Sequence, residues 1–575
     1  MKRPRVRHQI LIALGFASWA VYVGITWISP QFAYEVPADE HPVVETLLLF
    51  AAAFGYYVVA LRIARTLDCL PTIIIFSVCF RATVFFSVPI QEIDIYRYLW
   101  DGQCSVAGVN PFAYTPHRVL DARSDESLPD DLSRLVKLRD SSPALQEVLE
   151  RVHFGELPTV YPPVSQAVFA LATSTTPNDA NVRDRLLFMK AWILAFDLAT
   201  LIPIVLLLRL MEKPTGWALA YAWCPLIIKE FANSGHLDSI AIFFTTLAVY
   251  SAALACRRRY LPTSGSTAFG LLAALSSGLA IGAKLYPVVI LPVVAAGLCR
   301  HWGFRRTAAV VMLAISVALL TCWPLIRPTD RRGDVGTVAA RPNERQPVDQ
   351  HALEPPLPPQ IPIETSPQDS RAGLRAFLSR WEMNDLLFMI VVENLNPDNE
   401  TPAENRPWFL ITSYAQRTAI ANAASRWFAI DSSLAPFLLA RLIAASVFAC
   451  LVGYFMSLAY RASTPSDAIE AVFLTLAWFW LLLPTQNPWY WLWAIPFLPF
   501  AKSRAWLWVS GLVFVYYLRF WLIAHWPDTT VYGSRFSGEL LFDFVVTWIE
   551  FGPWFVWLAL AGYYGRRRRM TNFSE

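Results

Sequence analysis

The sequence predicts an all-α, polytopic integral membrane protein with a multispanning helical fold of about 12–14 transmembrane helices. Of its 575 residues, 55% are hydrophobic and only 16% are charged, and the mean hydropathy is +0.39. Apolar runs recur along the whole chain, and a helix needs about 20 apolar residues to cross the hydrocarbon core of a bilayer. A soluble domain behind a cleaved signal peptide is therefore not expected.

The spans are predicted from the positions of these runs. Runs of nearly full length or longer begin near Ile10, Val43, Leu70, Leu186, Ala268, Thr307, Pro436, Ala468, Ala505 and Leu540. Shorter runs begin near Trp217, Ile240, Val288 and Trp489. The stretch YPPVSQAVFALATS, residues 161–174, has about 14 residues, a length more typical of a re-entrant segment than of a full span.

Clusters of Lys and Arg orient the spans, because cytoplasmic loops are enriched in these residues. The clusters lie at 2–7, 62–65, 209–213, 257–259, 300–306, 461, 502–504 and 566–569. About fourteen spans with both termini in the cytoplasm place every cluster inside, provided that 161–174 does not cross. The same arrangement places two long segments, 89–160 and 327–435, outside.

The chain therefore divides into five segments. They are 1–88, N-terminal transmembrane helices; 89–186, a first large external loop with a re-entrant segment; 187–326, central transmembrane helices; 327–435, an external loop; and 436–575, C-terminal transmembrane helices. The second external loop contains QPVDQHALEPPLPPQIPIETSPQ, whose prolines exclude a helix. After it, 370–392 has apolar residues at helical spacing, which fits either an amphipathic surface helix or a buried packing helix.

Polar side chains beside the apolar runs fall at one face of this topology. They are Asp94, Arg97 and Asp101 after the third span; Glu230, Asn233, His236 and Asp238 in KEFANSGHLDS; Lys284 in GAKLYP; and Gln486 and Asn487 in PTQNPWYW. Ionisable groups at membrane depth are costly and usually line a cavity. Their grouping predicts a site at the external face.

Asp94 has two interpretations from the sequence. As a structural residue it caps a helix or pairs with Arg97. As a functional residue it is a general base, because burial near hydrocarbon raises the pKa of a carboxylate toward the range useful for taking a proton. Asp101 lies about two helical turns further on, too far to share a proton with Asp94, so it is predicted to support the site or to bind a substrate hydroxyl.

The other polar groups also leave alternatives. His236 and Asp238 fit a polar lining, a structural hydrogen bond or half of a metal site. Lys284 needs a counter-charge, which a phosphate, Asp238 or Glu230 would supply. The aromatic residues of DIYRYLW and NPWYWLW fit an interfacial belt or a surface for stacking on sugars.

Five motifs in order resemble one family. They are DIYRYLWDGQCSVAGVNPFAYTP, TVYPPVSQAVFAL, NSGHLDSIAIFFTTLA, GLAIGAKLYPVVILPV and PTQNPWYWLWAIPFL. Together, from about Asp94 to Phe500, they resemble the bacterial GT-C glycosyltransferases related to the polyprenyl-phosphate mannosyltransferases of mycobacterial lipid and glycan assembly. The long insertion at 327–367 departs from the simplest pattern of that family and puts the identity of the acceptor in doubt.

The resemblance implies a hexosyltransferase that uses a polyprenyl-phosphate-linked sugar, with mannose the expected hexose, and a glycolipid or cell-envelope glycan as acceptor. Asp94 matches the catalytic base of a single inverting displacement. Two sets of binding residues are predicted: Arg97, Lys284, His236, Asp238 and Arg380 for the donor phosphate or sugar, with Arg417 a weaker candidate, and Asp101, Tyr98, Asn110, Gln486 and Asn487 for the acceptor or in support of the site. The sequence contains no GxGxxG or GxxxxGK[ST] nucleotide loop, which agrees with a lipid-linked donor.

Location and partners follow from the same resemblance. It implies a multi-pass protein of the bacterial inner (plasma) membrane, in contact with membrane lipid, with the active site facing the periplasm or outside. Neither a metal ligand set nor a nucleic-acid partner is predicted, no cofactor is assigned, and dependence on a divalent metal stays open.

Other classes of protein share some of these features. A transporter or flippase for a lipid-linked or small polar substrate is the main alternative, but the sequence has neither repeated halves nor charges spread toward the midplane. A membrane acyltransferase or an oligosaccharide polymerase would share the external site. An acyltransferase would need a prominent histidine or a Ser/His/Asp arrangement, for which His236 alone is little support.

Overall fold

A computed structural model describes residues 2–124, 127–257, 263–326, 383–397, 410–411, 413–527 and 529–571, and the structural statements below concern these ranges. Arg380, the proline-rich stretch and most of the predicted helix at 370–392 lie outside the described residues.

The N-terminal part of the chain is helical throughout. Its α-helices are α1 (Lys2–Ile28), α2 (Val43–Ala64), α3 (Leu70–Phe85), α4 (Asp94–Val106), α5 (Pro116–Asp121), α6 (Asp130–Asp140), α7 (Pro143–Glu150), α8 (Pro163–Ser174), α9 (Val182–Leu210), α10 (Leu219–Ala222), α11 (Pro225–Ile227), α12 (Asp238–Ala255), α13 (Thr263–Ala283), α14 (Leu291–Trp302) and α15 (Phe304–Ile326). Five short segments of other helix types complete it: the 3-10 turns Ser29–Phe32, Ala38–Glu40, Thr215–Ala218 and Tyr286–Ile290, and the π-helix Ile228–Asn233.

The C-terminal part has the same character. Its α-helices are α16 (Leu387–Leu395), α17 (Tyr414–Phe428), α18 (Ala435–Arg461), α19 (Pro465–Leu482), α20 (Pro488–Trp491), α21 (Ala505–Leu512), α22 (Leu518–His525), α23 (Gly538–Leu541) and α24 (Thr547–Thr571). The 3-10 helices Ile495–Phe500, Val513–Tyr517 and Val531–Gly533 and the π-helix Phe542–Val546 join or extend them.

Ten helical stretches in the described ranges are long and apolar enough to cross a membrane, which confirms the all-α polytopic prediction. They are Arg5–Phe32, Val43–Ala64, Val182–Leu210, Asp238–Ala255, Ser264–Ala283, Phe304–Leu325, Ala435–Arg461, Pro465–Leu482, Ala505–His525 and Gly538–Gly562. Leu70–Phe85 and Tyr286–Trp302 are shorter apolar helices. Two further apolar runs of the predicted set, near Trp217 and Trp489, are broken into short pieces at 215–233 and 488–500.

The segment 161–174 forms the short helix α8, which packs against α4. Gly102 permits this close crossing, because a Cβ there would lie 2.3 Å from Thr173 Oγ1 and 2.6 Å from the Phe169 carbonyl oxygen. One turn earlier on α4, Tyr98 stacks on the ring of Phe169 with the centroids 4.6 Å apart. The α4–α8 pair therefore brings the start of α4 next to the start of α8.

The ends of several long helices meet around one site. α12 begins there with Asp238, α13 ends just before Lys284, and α19 ends just before Leu483. The opposite ends of α12, α14 and α18 carry the basic residues Arg257, Arg300 and Arg461. The site and these basic residues therefore lie at opposite ends of the helix bundle.

Candidate active site

A cavity of about 520 Å³ lies where these helix ends meet. Seven of the predicted site residues line it: Asp94, Arg97, Tyr98, His236, Asp238, Lys284 and Asn487. They come from sequence positions nearly 400 residues apart. The volume is within the range of about 300–1,000 Å³ that is usual for small-ligand sites.

Asp94 is the first residue of α4, whose N-cap position is occupied by Ile93, and no side chain caps this helix end. Asp94 forms no ion pair with Arg97, whose donors are used elsewhere. Hydrogen bonding by Tyr161, two residues before α8, lowers the pKa of the Asp94 carboxyl group, and so do the positive charges of Lys284 and Arg97. Burial raises the pKa of Asp94 above its ordinary value, and these three groups only partly oppose that effect. Neither structural interpretation of Asp94 therefore describes its contacts.

Arg97 fixes the loop that follows α7. Its guanidinium donates to the carbonyl oxygens of His153 (3.0 Å), Phe154 (2.7 Å) and Leu157 (3.1 Å). These partners are neutral, so the positive charge of Arg97 is retained next to the cavity. The role of a direct phosphate ligand fits this geometry poorly, because three of its hydrogen bonds already go to the backbone.

Asp101 is 2% exposed and does not line the cavity. It accepts a hydrogen bond of 2.8 Å from Gln166 Nε2 on α8, and burial raises the pKa of its carboxyl group. Asp101 thus helps to join α4 to α8 and supports the position of Asp94.

Lys284 and Asp238 form the central ion pair of the cavity. Lys284 Nζ lies 2.7 Å from both carboxylate oxygens of Asp238, and Trp493 Nε1 donates to Asp238 Oδ1 at 2.6 Å. The Asp238 side chain is 1% exposed, whereas that of Lys284 is 18% exposed and lies 4.7 Å from the centroid of the Tyr490 ring. The sequence left a phosphate, Asp238 or Glu230 as the counter-charge of Lys284, and in the structure Asp238 occupies that position. Lys284 is the member of the pair that a ligand can reach.

His236 turns toward a different set of partners. Gly235, with φ +70°, turns the backbone before it. The ring of His236 stacks on Trp489 with the centroids 4.4 Å apart, and His236 Nε2 lies 3.3 Å from Glu230 Oε2. Burial, followed by the positive charge of Lys229, holds the pKa of His236 well below its ordinary value, so the ring is neutral. Because Asp238 faces Lys284, the structure does not bring His236 and Asp238 together as metal ligands.

Glu92 is a cavity residue that sequence reasoning missed. It lies two residues before Asp94, and its Oε2 is 3.9 Å from His236 Nε2. Burial is the main cause that raises the pKa of Glu92 well above the ordinary carboxyl value. The loop that carries it is held by Asn233, which donates to Ser87 Oγ and the Val88 carbonyl and accepts from the Ile90 N–H. The signal available in the sequence was a second carboxylate at this spacing from Asp94.

Five buried polar atoms of the cavity residues have no hydrogen-bond partner within the described part of the chain. They are His41 Nδ1, Glu92 Oε1, His153 Nε2, His236 Nε2 and Asn487 Oδ1. The contact of His236 with Glu230 is close, but it lacks hydrogen-bond geometry. Buried polar groups are normally satisfied, so such groups in one cavity indicate a ligand rich in hydrogen-bonding groups.

The aromatic residues are mostly buried, so an interfacial belt is the wrong interpretation of NPWYWLW and DIYRYLW. Trp489, Tyr490 and Trp493 line the cavity, whereas Trp491 and Trp100 lie in the core. The three cavity rings provide flat apolar surfaces, which suit stacking on the faces of a sugar.

The remaining predicted residues lie away from the cavity. Gln486 is 1% exposed and donates to the Leu481 carbonyl oxygen (2.9 Å). Asn110 is exposed, and its side chain accepts from the Phe112 N–H in a local turn. Arg417, on α17, donates to the Ile411 carbonyl oxygen. The structure brings none of the three to the cavity lining.

Within the described residues no group of three or more His, Cys, Asp or Glu side chains is placed to hold a metal ion. The polar character of the cavity comes instead from an ion pair, separate carboxyl groups and aromatic rings.

The family comparison adds an independent finding. A model of the α-(1→6)-mannopyranosyltransferase family, described as the N-terminal domain, matches residues 9–300, just over half of the chain. The chain belongs to this family. No curated protein and no solved structure is similar enough to match the chain.

Membership confirms the predicted resemblance and identifies the chain as a multi-pass membrane mannosyltransferase. The matched range includes Glu92, Asp94, His236, Asp238 and Lys284. The part of the mannosyltransferase beyond residue 300 supplies Asn487 and the cavity rings Trp489, Tyr490 and Trp493. A complete cavity therefore needs both parts of the chain.

Proposed function

We propose that the mannosyltransferase moves a mannosyl residue from a polyprenyl-phosphate carrier to a hydroxyl of a glycolipid or cell-envelope glycan. Asp94 takes the proton of the acceptor hydroxyl as its oxygen attacks the anomeric carbon, and the lipid phosphate leaves from the opposite face. The observation that carries the proposal is that Asp94, the Lys284–Asp238 pair and the unsatisfied polar atoms all face one cavity.

The cavity suits a lipid-linked donor because it combines a cation with an outward-facing apolar wall. Leu285 and Val288 line the cavity and are 39% and 50% exposed at the surface of the bundle. They lie one and four residues after Lys284 in the chain. A phosphate near Lys284 would therefore leave its polyprenyl chain beside apolar side chains that face the surroundings of the bundle. A phosphate leaving group needs stabilisation of its charge more than protonation by a strong acid.

The orientation of the protein follows the positive-inside rule. The basic residues at the ends of α12, α14 and α18 lie at the end of the bundle away from the cavity, so they would face the cytoplasm. The cavity would then open on the periplasmic or outer side of the inner membrane. On that side a lipid-linked donor supplies the sugar, so that no soluble nucleotide sugar is required.

The name of the family supports an α-(1→6) linkage, with the primary 6-hydroxyl of a mannose as the nucleophile. An inverting displacement that forms an α-linkage requires a β-linked donor. The purified enzyme should therefore transfer mannose from β-linked polyprenyl-phosphate mannose, but not from the α-anomer or from a nucleoside-diphosphate mannose. Product anomers are distinguished by the one-bond C–H coupling in NMR. Transfer from the nucleotide donor in the absence of lipid would contradict the proposal.

The pH dependence of transfer should report the environment of Asp94. A base works only when deprotonated, so kcat/KM should fall about tenfold per pH unit below the pKa of Asp94. Because burial raises this pKa, the acid limb should lie above pH 3.8, the ordinary value. The Tyr161 hydrogen bond lowers the pKa, so Tyr161→Phe should move the limb to higher pH. The profile of kcat/KM for both enzymes checks this; an unmoved limb in Tyr161→Phe would show that the limb belongs to another group.

A further inference from the structure

A second cavity, of about 470 Å³, lies at the other end of the same helices. α12 contributes Asp238 to the first cavity and Cys256 to the second, and these residues are about 27 Å apart at 1.5 Å of rise per residue. In the same way α19 contributes Phe479 to the first cavity and Ala468 to the second. The second cavity is therefore separate from the candidate active site.

The walls of the second cavity are mostly apolar, and several small side chains lie among them. Ala252, Gly297, Ala459 and Ala468, from four different helices, lie on its lining. A Cβ added to Gly297 would meet no atom within 4 Å, so there is open space beside it. Protein interiors are normally close-packed, and apolar voids of this size take apolar guests in preference to water. The walls therefore suit a hydrocarbon chain.

The rim of the same cavity is cationic. Arg257, Arg300 and His301 lie on it, and Arg461 is exposed nearby at the end of α18. Asp467 accepts hydrogen bonds from Ser463 and Thr464 of the lining and pairs with Lys502. Arg257 pairs with Glu212, whose Oε1 lies 3.6 Å from Arg257 Nη1 and whose side chain is 75% exposed. An ion pair with so exposed a partner is weak and can be replaced by a stronger anion.

We propose that the second cavity binds an anionic phospholipid, with one acyl chain between α12, α14, α18 and α19 and the headgroup phosphate at Arg257 and Arg300. Basic pockets between transmembrane helices recognise anionic headgroups through charge, and the apolar wall adds affinity through burial of the chain. In the orientation proposed above, this end of the bundle faces the cytoplasmic leaflet. The site does not depend on the proposed reaction, and its occupancy is measured without any transfer assay.

Native mass spectrometry of the delipidated full-length protein tests the proposal with two lipids, phosphatidylglycerol and phosphatidylcholine. Wild type should bind one phosphatidylglycerol at least about fivefold more tightly than phosphatidylcholine. Arg257→Gln/Arg300→Gln should weaken binding of phosphatidylglycerol about fivefold for each arginine removed and weaken binding of phosphatidylcholine less, because the choline already offsets the charge of its phosphate. Gly297→Leu fills the apolar part of the cavity and should weaken the binding of both lipids.

Two variants serve as matched controls. Gly453→Leu makes the same change on α18 at an exposed glycine that also has no atom within 4 Å of an added Cβ and lies outside the cavity. Arg209→Gln removes an exposed arginine from the last turn of α9, away from the lining. Both should bind the lipids as wild type does. Equal affinity of wild type for the two lipids, or wild-type binding of phosphatidylglycerol by the double arginine variant or by Gly297→Leu, would overturn the proposal.

Discussion

Asp94→Asn should lower mannosyl transfer at least about a hundredfold, the usual effect of removing a general base. The replacement keeps the size of the side chain and its access to the cavity but cannot accept the acceptor proton. The loss should appear in kcat and much less in KM, because the base acts in the transition state. Steady-state kinetics with the lipid-linked donor and a mannoside acceptor measure both constants.

The stability of the same variant separates a catalytic role from a structural one. The raised pKa of Asp94 means that the folded protein favours the neutral carboxyl, so above that pKa the charge lowers stability. Asp94→Asn should therefore unfold at the same temperature as wild type or higher. Asp130→Asn, the same change at an exposed site on α6, is the control and should leave transfer unchanged. A destabilised Asp94→Asn with near-normal kcat would show that Asp94 is a structural residue.

The Lys284–Asp238 pair should have the second large effect, on stability and transfer together. Lys284→Met leaves Asp238 as a buried carboxylate without its cation, and removal of one partner of a buried pair typically costs about 3–5 kcal/mol. The double variant Lys284→Met/Asp238→Asn removes both charges and should regain most of this stability. It should still transfer mannose about a hundredfold more slowly, because the phosphate has lost its cation.

A second buried pair provides the control for this experiment. Arg81 and Asp197 are 1% and 0% exposed, with 2.5 Å between Arg81 Nε and Asp197 Oδ2, and neither lines the cavity. In the corresponding double variant, Arg81→Met/Asp197→Asn, the protein that remains folded should transfer mannose at nearly the wild-type rate. Thermal unfolding and transfer are measured on all variants. If Lys284→Met/Asp238→Asn regains both stability and transfer, the pair is structural only.

The helical architecture was predictable because long apolar runs leave few alternatives in a membrane. The grouping of Asp94, His236, Asp238 and Lys284 was also predictable. Each residue lies at the end of an apolar run, and the predicted direction of the runs brings these ends to one side of the membrane. What the sequence did not reveal is which side chains form pairs there. Lys284 pairs with Asp238, whereas Arg97 donates to backbone carbonyl oxygens, and both contacts depend on packing between distant segments.

Glu92 and Tyr161 show the same limit in the candidate site. Tyr161 reaches Asp94 only because α8 crosses α4 at Gly102, and the local sequence of neither helix predicts this contact. Glu92 looks like an ordinary loop carboxylate until Asn233 is seen to hold its loop against the cavity. Asn110 is the opposite case, a polar residue within a suggestive motif whose side chain only completes a turn.

The most direct test of Asp94 as the base compares two acceptors in wild type and Asp94→Asn. One acceptor carries the ordinary 6-hydroxyl; the other carries a thiol there, which at a pH near its pKa of about 8.5 is already half ionised and needs no base. The ratio of wild-type to variant rates should fall from at least about a hundred with the hydroxyl to below about ten with the thiol. An equal ratio with both acceptors would contradict the role of Asp94 as the group that takes the acceptor proton.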